Sequence, residues 1–334
     1  MSEKATVGVI GAGAWGTALA QMLASDGRAV VIWAYEPEVV EAINSHHRNP
    51  AYLPSAMLAE TVRASSDLAE IAALDTVLSV TPAQVMGQVL AQLPNNPMDL
   101  VLCSKGIEAS SGRLMNDVAR EACPDSRIAV LSGPTFAHEV AAGLPTAVTL
   151  ACGGGEDQWE RLKPAIARPA FRPYYSDDVT GAEIGGAIKN VLAIACGLVD
   201  GLELGMNARS ALIARGYAEM LRFGEALGAR AETLAGLCGL GDLVLTCSST
   251  SSRNFSLGKA LGEGASATQL MSDRTTVAEG AHTAPVLARL VQDRSLAMPI
   301  VMAVNAILEG QSPRDVVAKL LARPLTAEQA DPLP

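Results

Sequence analysis

Aromatic residues make up only 4% of this chain of 334 residues. Its core must therefore be filled by small aliphatic side chains, which let helices and sheets approach closely. Histidine is also rare, with four copies, and the six cysteines (Cys103, Cys123, Cys152, Cys196, Cys238 and Cys247) include no Cys-x-x-Cys pair. Zinc has no obvious home in such a set, and no metal is expected. The cysteines read as small, reduced core residues of a cytosolic protein. Basic residues are outnumbered, 25 Lys and Arg against 35 Asp and Glu, for a net charge of −10. That balance argues against nucleic acid as the main partner. It leaves room for an anionic small molecule, because a few local cations outweigh a distant negative surface. No run of about 18 apolar residues is free of a charge or a glycine, so no membrane span is expected. The N-terminus carries Glu3 beside Lys4 and leads straight into an apolar run, unlike a secretory signal. A cytoplasmic location is expected.

What the chain does have is a globular balance, with 49% hydrophobic and 18% charged residues, and length enough for two domains. Short apolar runs alternate with helical patterns over the first half. The runs are Thr6–Ile10, Ala29–Trp33, Asp75–Val80, Asp99–Cys103, Arg127–Leu131, Ala147–Ala151 and Phe171–Tyr175, and helices such as Trp15–Ser25, Pro82–Leu93 and Arg113–Ala122 lie between them. This alternation predicts an α/β fold, a doubly wound and mostly parallel sheet that binds ligand at the carboxyl ends of its strands. From about Asp178 the strand pattern stops. Apolar helical stretches follow at Ala182–Leu202, Ala208–Leu227, Phe255–Gly262, Ala281–Asp293, Pro299–Leu308 and Pro313–Leu321. The expected domains are 1–180 and 181–334, the second all-α, with the active site in the cleft. Leu325–Pro334 reads as a loose tail.

The turn after the first strand reads Gly11-Ala12-Gly13-Ala14-Trp15-Gly16 and opens a helix. G-x-G-x-x-G between strand and helix is the dinucleotide-binding pattern. Gly11 permits the tight turn, Gly13 lets backbone approach a pyrophosphate, Gly16 lets helix pack on strand, and free helix N–H groups face the anion. Glu36 follows Gly16 by about twenty residues, where an acid bonds the ribose hydroxyls of NAD. It is equally readable as a helix-start carboxylate ahead of Pro37. NAD and NADP both stay open.

Several polar residues stand out against apolar surroundings. Lys189 lies in a helix apolar nearly all round, on a stripe of Gly185, Ala193 and Gly197 whose small side chains leave room for a ligand. Burial disfavours a lysine's charged form, which suits proton transfer; the alternative is a lysine that snorkels to solvent. Asp242, within Gly239-Leu240-Gly241-Asp242-Leu243, needs a cationic partner if buried, with Lys189 the candidate, or is a helix cap. Lys105 ends a strand at the ligand edge, where it polarises a ketone, holds a phosphate, or is simply a solvated loop residue. Gly133 and Thr135, in Ser132-Gly133-Pro134-Thr135-Phe136-Ala137, make an anion site or a cap. Ser252, Arg253 and Asn254 begin a helix, where Arg gives bidentate phosphate contacts and Ser a cap. Val277-Ala278-Glu279-Gly280 reads as a turn with a surface Glu. On these residues alone, a dehydrogenase of an unphosphorylated hydroxy acid or sugar, and a non-catalytic NAD(P) sensor, remain as other readings.

As a set, these segments resemble the bacterial NAD(P)-dependent glycerol-3-phosphate dehydrogenases. The resemblance runs through GAGAWGTALA (11–20), NPAYLP (49–54), SKGIE (104–108), LSGPTFAHEVAAGLPTA (131–147), GGAIKNVLAIACG (185–197), NARSALIARGYAEM (207–220), GLGDLVLTC (239–247), SSRNFSLG (251–258), VAEG (277–280) and MPI (298–300). It implies a Rossmann-type NAD(P)-binding domain and a helical substrate domain similar to the C-terminal one of 6-phosphogluconate dehydrogenase. It implies reversible reduction of dihydroxyacetone phosphate to sn-glycerol 3-phosphate for glycerophospholipid synthesis, in a cytoplasmic homodimer. Lys189 is implied as the acid/base, with Lys105 and Asp242 beside it in catalysis. Lys105, Gly133, Thr135, Lys189, Asp242, Ser252, Arg253 and Asn254 are implied as the substrate shell. Gly11, Gly13, Ala14, Trp15, Gly16, Tyr35, Lys105, Ala137, Arg253, Val277 and Glu279 are implied as cofactor contacts. Tyr35-Glu36 stands where many relatives carry His or Arg, which weakens the case for an NADPH preference.

Overall fold

The computed structural model describes residues 6–272 and 278–325. Val277 and most of the expected tail, 326–334, therefore lie outside the described residues. The chain divides into two compact units. One is the chain up to Lys105 together with Leu114–Glu183; the other is Gly106–Arg113 together with the chain from Ile184 onward.

The first unit is a wound sheet. Its elements run β1 (Val7–Ile10), α1 (Ala14–Ala24), β2 (Val30–Trp33), α2 (Pro37–His46), β3 (Val62–Ser65), α3 (Leu68–Ala72), β4 (Thr76–Ser79) and α4 (Ala83–Leu90). They continue with β5 (Asp99–Leu102), α5 (Met115–Ala122), β6 (Arg127–Ser132), α6 (Ala137–Ala141), β7 (Thr146–Cys152), α7 (Gly155–Ile166) and β8 (Phe171–Ser176). The eight strands lie in the order β3-β2-β1-β4-β5-β6-β7-β8. All neighbours are parallel except β6 and β7. The predicted doubly wound sheet is thus the observed one. Its inner strands β1, β2 and β5 are buried along their length, as the continuous apolar runs require of strands covered on both faces. Strand β3, Val62-Arg63-Ala64-Ser65, escapes the apolar pattern because it lies at the sheet edge and exposes Arg63.

The second unit is helical. It comprises most of α8 (Val179–Gly201), then α9 (Gly205–Ala226), α10 (Ala231–Ala235), a π-helical turn (Leu237–Gly241), α11 (Asp242–Thr246), α12 (Arg253–Gly262), α13 (Ala267–Ser272), α14 (Glu279–Asp293), α15 (Pro299–Leu308) and α16 (Pro313–Leu321). Helix α8 is long and apolar enough to cross a membrane by length and composition, but its apolar stretch is wholly buried within the molecule. The Gly106–Arg113 loop joins this unit through Arg289, whose guanidinium donates to the Ala109 carbonyl, and through Gly112, packed against Leu290.

The small residues of α8 serve packing. A Cβ on Gly185 would collide with the Cys238 carbonyl, and one on Gly197 with the Phe255 carbonyl. The room expected there for a ligand is filled by the backbone of the π turn and of α12. This corrects the sequence reading of the stripe: glycine's missing Cβ admits a neighbouring main chain, which packs closer than any ligand could. All six cysteines are buried and none forms a disulfide among the described residues.

Candidate active site

The glycine turn is built as its spacing requires. Gly11 has φ +107° and its N–H donates to the Trp33 carbonyl at 3.0 Å, which sets the end of β2 beside the turn. A Cβ on Gly16 would strike the Gly11 carbonyl, so only glycine lets α1 sit this close to β1. Gly13 differs, because a Cβ there would meet nothing within 4 Å. It caps α1 without a side-chain bond, and the first turn of the helix has no acidic residue. Free amides face open space, and the buried indole N–H of Trp15 has no partner. The turn therefore fits the pyrophosphate of a dinucleotide. Tyr35 is 80% exposed at the end of β2.

The carboxyl edges of β5 and β6 hold the next group. The half-buried Lys105 donates to the Gly133 carbonyl at 3.2 Å, and the Thr135 hydroxyl lies 3.4 Å from the same oxygen. Gly133 has no side chain because a Cβ would press on the Cα of Val148 at 2.9 Å. Helix α6 starts at Ala137 and is capped by Phe136, so Thr135 is not its cap.

In the helical unit, α8 carries Lys189 and α11 carries Asp242. Lys189 is 5% exposed and Asp242 fully buried. The ammonium donates to Asp242 Oδ1 at 2.5 Å and to Thr246 Oγ1 at 2.9 Å, and the Thr246 hydroxyl lies 3.3 Å from the same carboxylate. Lys189 does not snorkel, and the N-cap of α11 is Gly241, with Asp242 the first residue of that helix. The structure thus brings together Asp242 and Lys189, the cation that the sequence reading offered as its partner. Beside them the Cys247 thiol is hydrogen-bonded to Cys196; that contact and burial hold it well above the usual thiol range.

At the start of α12, the Ser252 hydroxyl accepts from the Phe255 N–H at 3.2 Å, a helix cap. Arg253 is exposed. Asn254 is buried and used on both sides: its amide donates to Asn190 Oδ1 at 3.0 Å, and its oxygen accepts from the Gly280 N–H at 2.9 Å. It therefore braces the start of α14, where Glu279 is the first residue.

Four polar residues of these clusters escape a reading of the sequence. Thr246 stands one turn after Asp242 on the same helical face, the one signal that could have flagged it. Asn190 is hidden behind its neighbour Lys189. Asn49 is fully buried and donates to the Ala12 carbonyl at 2.7 Å and to Thr17 Oγ1 at 2.8 Å, and Thr17 itself donates to Ala12. Nothing local in the sequence announces those long-range bonds.

Comparison with known proteins matches two family models to successive parts of the chain. Residues 6–158 match the family model of the NAD-dependent glycerol-3-phosphate dehydrogenase N-terminus. Residues 178–318 match the model of its C-terminus. Proteins named glycerol-3-phosphate dehydrogenase [NAD(P)+] from Erythrobacter litoralis and Novosphingobium aromaticivorans are 74% and 71% identical. The alignments cover 97% and 96% of this chain and 98% of each relative. A crystal structure of glycerol-3-phosphate dehydrogenase from Coxiella burnetii superposes with a TM-score of 0.90 at 38% identity, over 96% of this chain and 99% of that one.

Proposed function

This chain belongs to the NAD-dependent glycerol-3-phosphate dehydrogenase family, and from that premise we propose that it reduces dihydroxyacetone phosphate reversibly to sn-glycerol 3-phosphate with NADH or NADPH, supplying glycerophospholipid synthesis. The observation that carries the reading is the buried Lys189–Asp242–Thr246 cluster, a proton donor held by two side chains.

When bound, reduced nicotinamide would supply the hydride for the carbonyl carbon. Negative charge develops on the substrate oxygen, and Lys189 Nζ gives it a proton. Asp242 and Thr246 fix the direction of the ammonium, and in the reverse reaction the amine takes the proton back. Such acid–base assistance is worth about 10²–10⁴-fold. Arg253, exposed at a helix start, pairs with the substrate phosphate. By their place in the family's motifs, Lys105, Gly133, Thr135, Ser252 and Asn254 complete the substrate shell. Lys105 also supplies charge stabilisation. Gly11, Gly13, Ala14, Trp15 and Gly16 would hold the pyrophosphate, and by their place in the family's motifs Tyr35, Lys105, Ala137, Arg253, Val277 and Glu279 would make the remaining cofactor contacts.

The test is loss of reduced-nicotinamide absorbance when the purified protein meets dihydroxyacetone phosphate. Rapid loss supports the reading; folded protein that binds cofactor without turnover removes it. The reading extends to a homodimer in the cytoplasm. Leu204, Met206, Leu240 and Val244, exposed on the helical unit, are apolar surface available to a second copy. A monomeric mass in light scattering would remove the dimer.

A further inference from the structure

The Ala12 carbonyl, in the middle of the glycine turn, has both of its acceptor positions filled. Asn49 Nδ2 donates to it at 2.7 Å and Thr17 Oγ1 at 3.2 Å. The two donors are themselves joined, because the Asn49 amide also donates to Thr17 Oγ1 at 2.8 Å. Both side chains are fully buried. Thr17 belongs to α1, but Asn49 comes from 37 residues further along the chain than Ala12. Helix α2 ends in a left-handed residue, His47 with φ 50°, and the chain then makes a short turn from Asn49 to Leu53. There the Leu53 N–H donates to the Asn49 carbonyl at 2.9 Å and the Tyr52 N–H donates to Asn49 Oδ1 at 3.3 Å. The Asn49 side chain is thus fixed from behind by its own turn and spends its amide on the glycine turn.

We propose that Asn49, acting with Thr17, is a positioning residue that aims the Gly13 amide at the cofactor's pyrophosphate. The inference rests on the proposed function only for the identity of the cofactor. The argument is the geometry of one peptide plane. The Ala12 carbonyl and the Gly13 N–H belong to the same planar trans unit, so they point in opposite directions. A carbonyl held inward turns the N–H outward. Among the described residues no main-chain carbonyl accepts from that N–H. The space outside it is open, since a Cβ on Gly13 would meet nothing within 4 Å. Glycine is what lets the backbone approach a phosphate there, yet glycine is also the residue that resists rotation of its peptide least. The orientation has to be imposed from elsewhere, and Asn49 and Thr17 impose it. Without them the Ala12 carbonyl would be left without donors, and a carbonyl in that state turns toward water. The same rotation would bring an acceptor, not a donor, to face the anion.

The experiment uses the full-length protein without substrate. NADH is titrated by protein fluorescence, and ADP-ribose and adenosine by calorimetry. ADP-ribose carries the pyrophosphate and adenosine lacks it. Asn49→Leu is close in volume and removes both amide donors. It should weaken NADH and ADP-ribose alike, by about 10- to 100-fold, the span of a hydrogen bond to a charged group. Adenosine should change less than about twofold, as expected for a ligand that does not use the altered amide. Thr17→Val should weaken ADP-ribose about threefold, because Asn49 still holds the carbonyl. Thr17→Ser keeps the hydroxyl and should bind like wild type. In isotope-labelled protein, the Gly13 amide proton should move downfield when ADP-ribose binds to wild type and stay in place in Asn49→Leu. A loss shared equally by adenosine, an ADP-ribose Kd unmoved in folded Asn49→Leu, or a Gly13 shift that survives the substitution would each overturn the proposal. Should Asn49→Leu fail to fold, the Thr17 pair decides: equal ADP-ribose affinity in Thr17→Val and Thr17→Ser would overturn it. Turnover of dihydroxyacetone phosphate is scored apart. Binding that follows Asn49 without turnover sinks only the substrate reading, and turnover with binding indifferent to Asn49 sinks only this one.

Discussion

In the sheet unit, the surface offered to an anion is backbone. Gly11, Gly13 and Gly16 shape it, and the amides of α1 supply the donors. In the helical unit, the polar centre is made of side chains, Lys189, Asp242 and Thr246, sunk among apolar neighbours. Backbone donors cost little to keep, because their geometry follows from the fold and they carry no net charge to desolvate. A buried ion pair is expensive and its partners depend on one another, since removing one strands the other. The two regions should therefore fail differently. A change in the turn should cost binding, whereas a change in the pair should cost turnover and stability together.

The sharpest break is at Lys189. Lys189→Met should lower kcat for dihydroxyacetone phosphate by about 10²–10⁴-fold, with cofactor Kd changed less than about twofold, because the glycine turn keeps its own bonds. It should also lower stability by about 3–5 kcal/mol, because Asp242 is left buried without its cation. Adding Asp242→Leu should recover much of that stability and none of the turnover. Steady-state kinetics and thermal melts on both variants check this. Near-normal kcat in Lys189→Met would make the pair purely structural.

Next in size is Arg253. Arg253→Ala should raise the KM for dihydroxyacetone phosphate about 10- to 150-fold, as expected for losing a hydrogen-bonded charge worth about 1.5–3 kcal/mol. Its melting temperature should hold, because Arg253 is exposed and Ser252, not Arg253, caps the helix. An unchanged KM removes Arg253 from the phosphate.

Two glycines of one turn sharpen the comparison further. Gly13→Ala puts a methyl into open space, so the fold should lose no more than about 1 kcal/mol, the scale of an N-cap change. NADH Kd should still rise about tenfold, because the methyl would stand where the proposed pyrophosphate contact lies. Gly16→Ala drives a methyl into the Gly11 carbonyl. It should cost folding first, by about 1–3 kcal/mol of overpacking. Melting curves with and without NADH separate the two; equal stability loss in both would mean that the space at Gly13 is not kept for a ligand.

These contrasts also explain what the sequence could and could not disclose. The glycine turn was legible because only glycine satisfies a positive φ at Gly11 and a closed contact at Gly16, so a backbone requirement is written directly in the residue type. Lys189 and Asp242 were legible as oddities, since a charge in an apolar stretch needs an explanation. Their meeting, 53 residues apart, is a tertiary fact. Thr246 and Asn190 look ordinary beside them. The small residues of α8 misled for a related reason: a missing Cβ looks the same in sequence whether ligand or backbone fills the space. The antiparallel entry of β7 and the loyalty of Gly106–Arg113 to the helical unit were equally invisible. Both depend on which surface a segment packs against, and composition does not record that.

The smallest expected effect compares two buried glutamates, one in each unit. Glu183 accepts from the Asn116 N–H at the start of α5 through Oε1, at 2.7 Å, while its Oε2 has no partner. Glu219 uses both oxygens, accepting from the N–H groups of Ile300 and Val301 at 2.7 and 3.1 Å at the start of α15. Burial pushes the first carboxyl up to about 8 and the second to about 7, against 4.5 when solvated. Both folded values lie above the unfolded one, so the native state holds extra protons in that interval. The stability these groups contribute is complete below about pH 4.5 and is lost as pH rises through 7 and 8. Glu183→Gln keeps the one bond made and removes the ionisation. Its melting temperature should match wild type at about pH 5 and exceed it at about pH 8.5, by about 1–3 °C on the usual scaling of stability to Tm. Glu219→Gln removes the same ionisation but turns an NH₂ toward a backbone N–H. It should melt below wild type at pH 5, by about 1–3 kcal/mol of unsatisfied donor, and narrow that gap as pH rises. Melts at the two pH values decide it. Parallel behaviour of the two variants would mean that burial alone, and not the count of backbone donors, governs how each unit keeps a carboxyl inside.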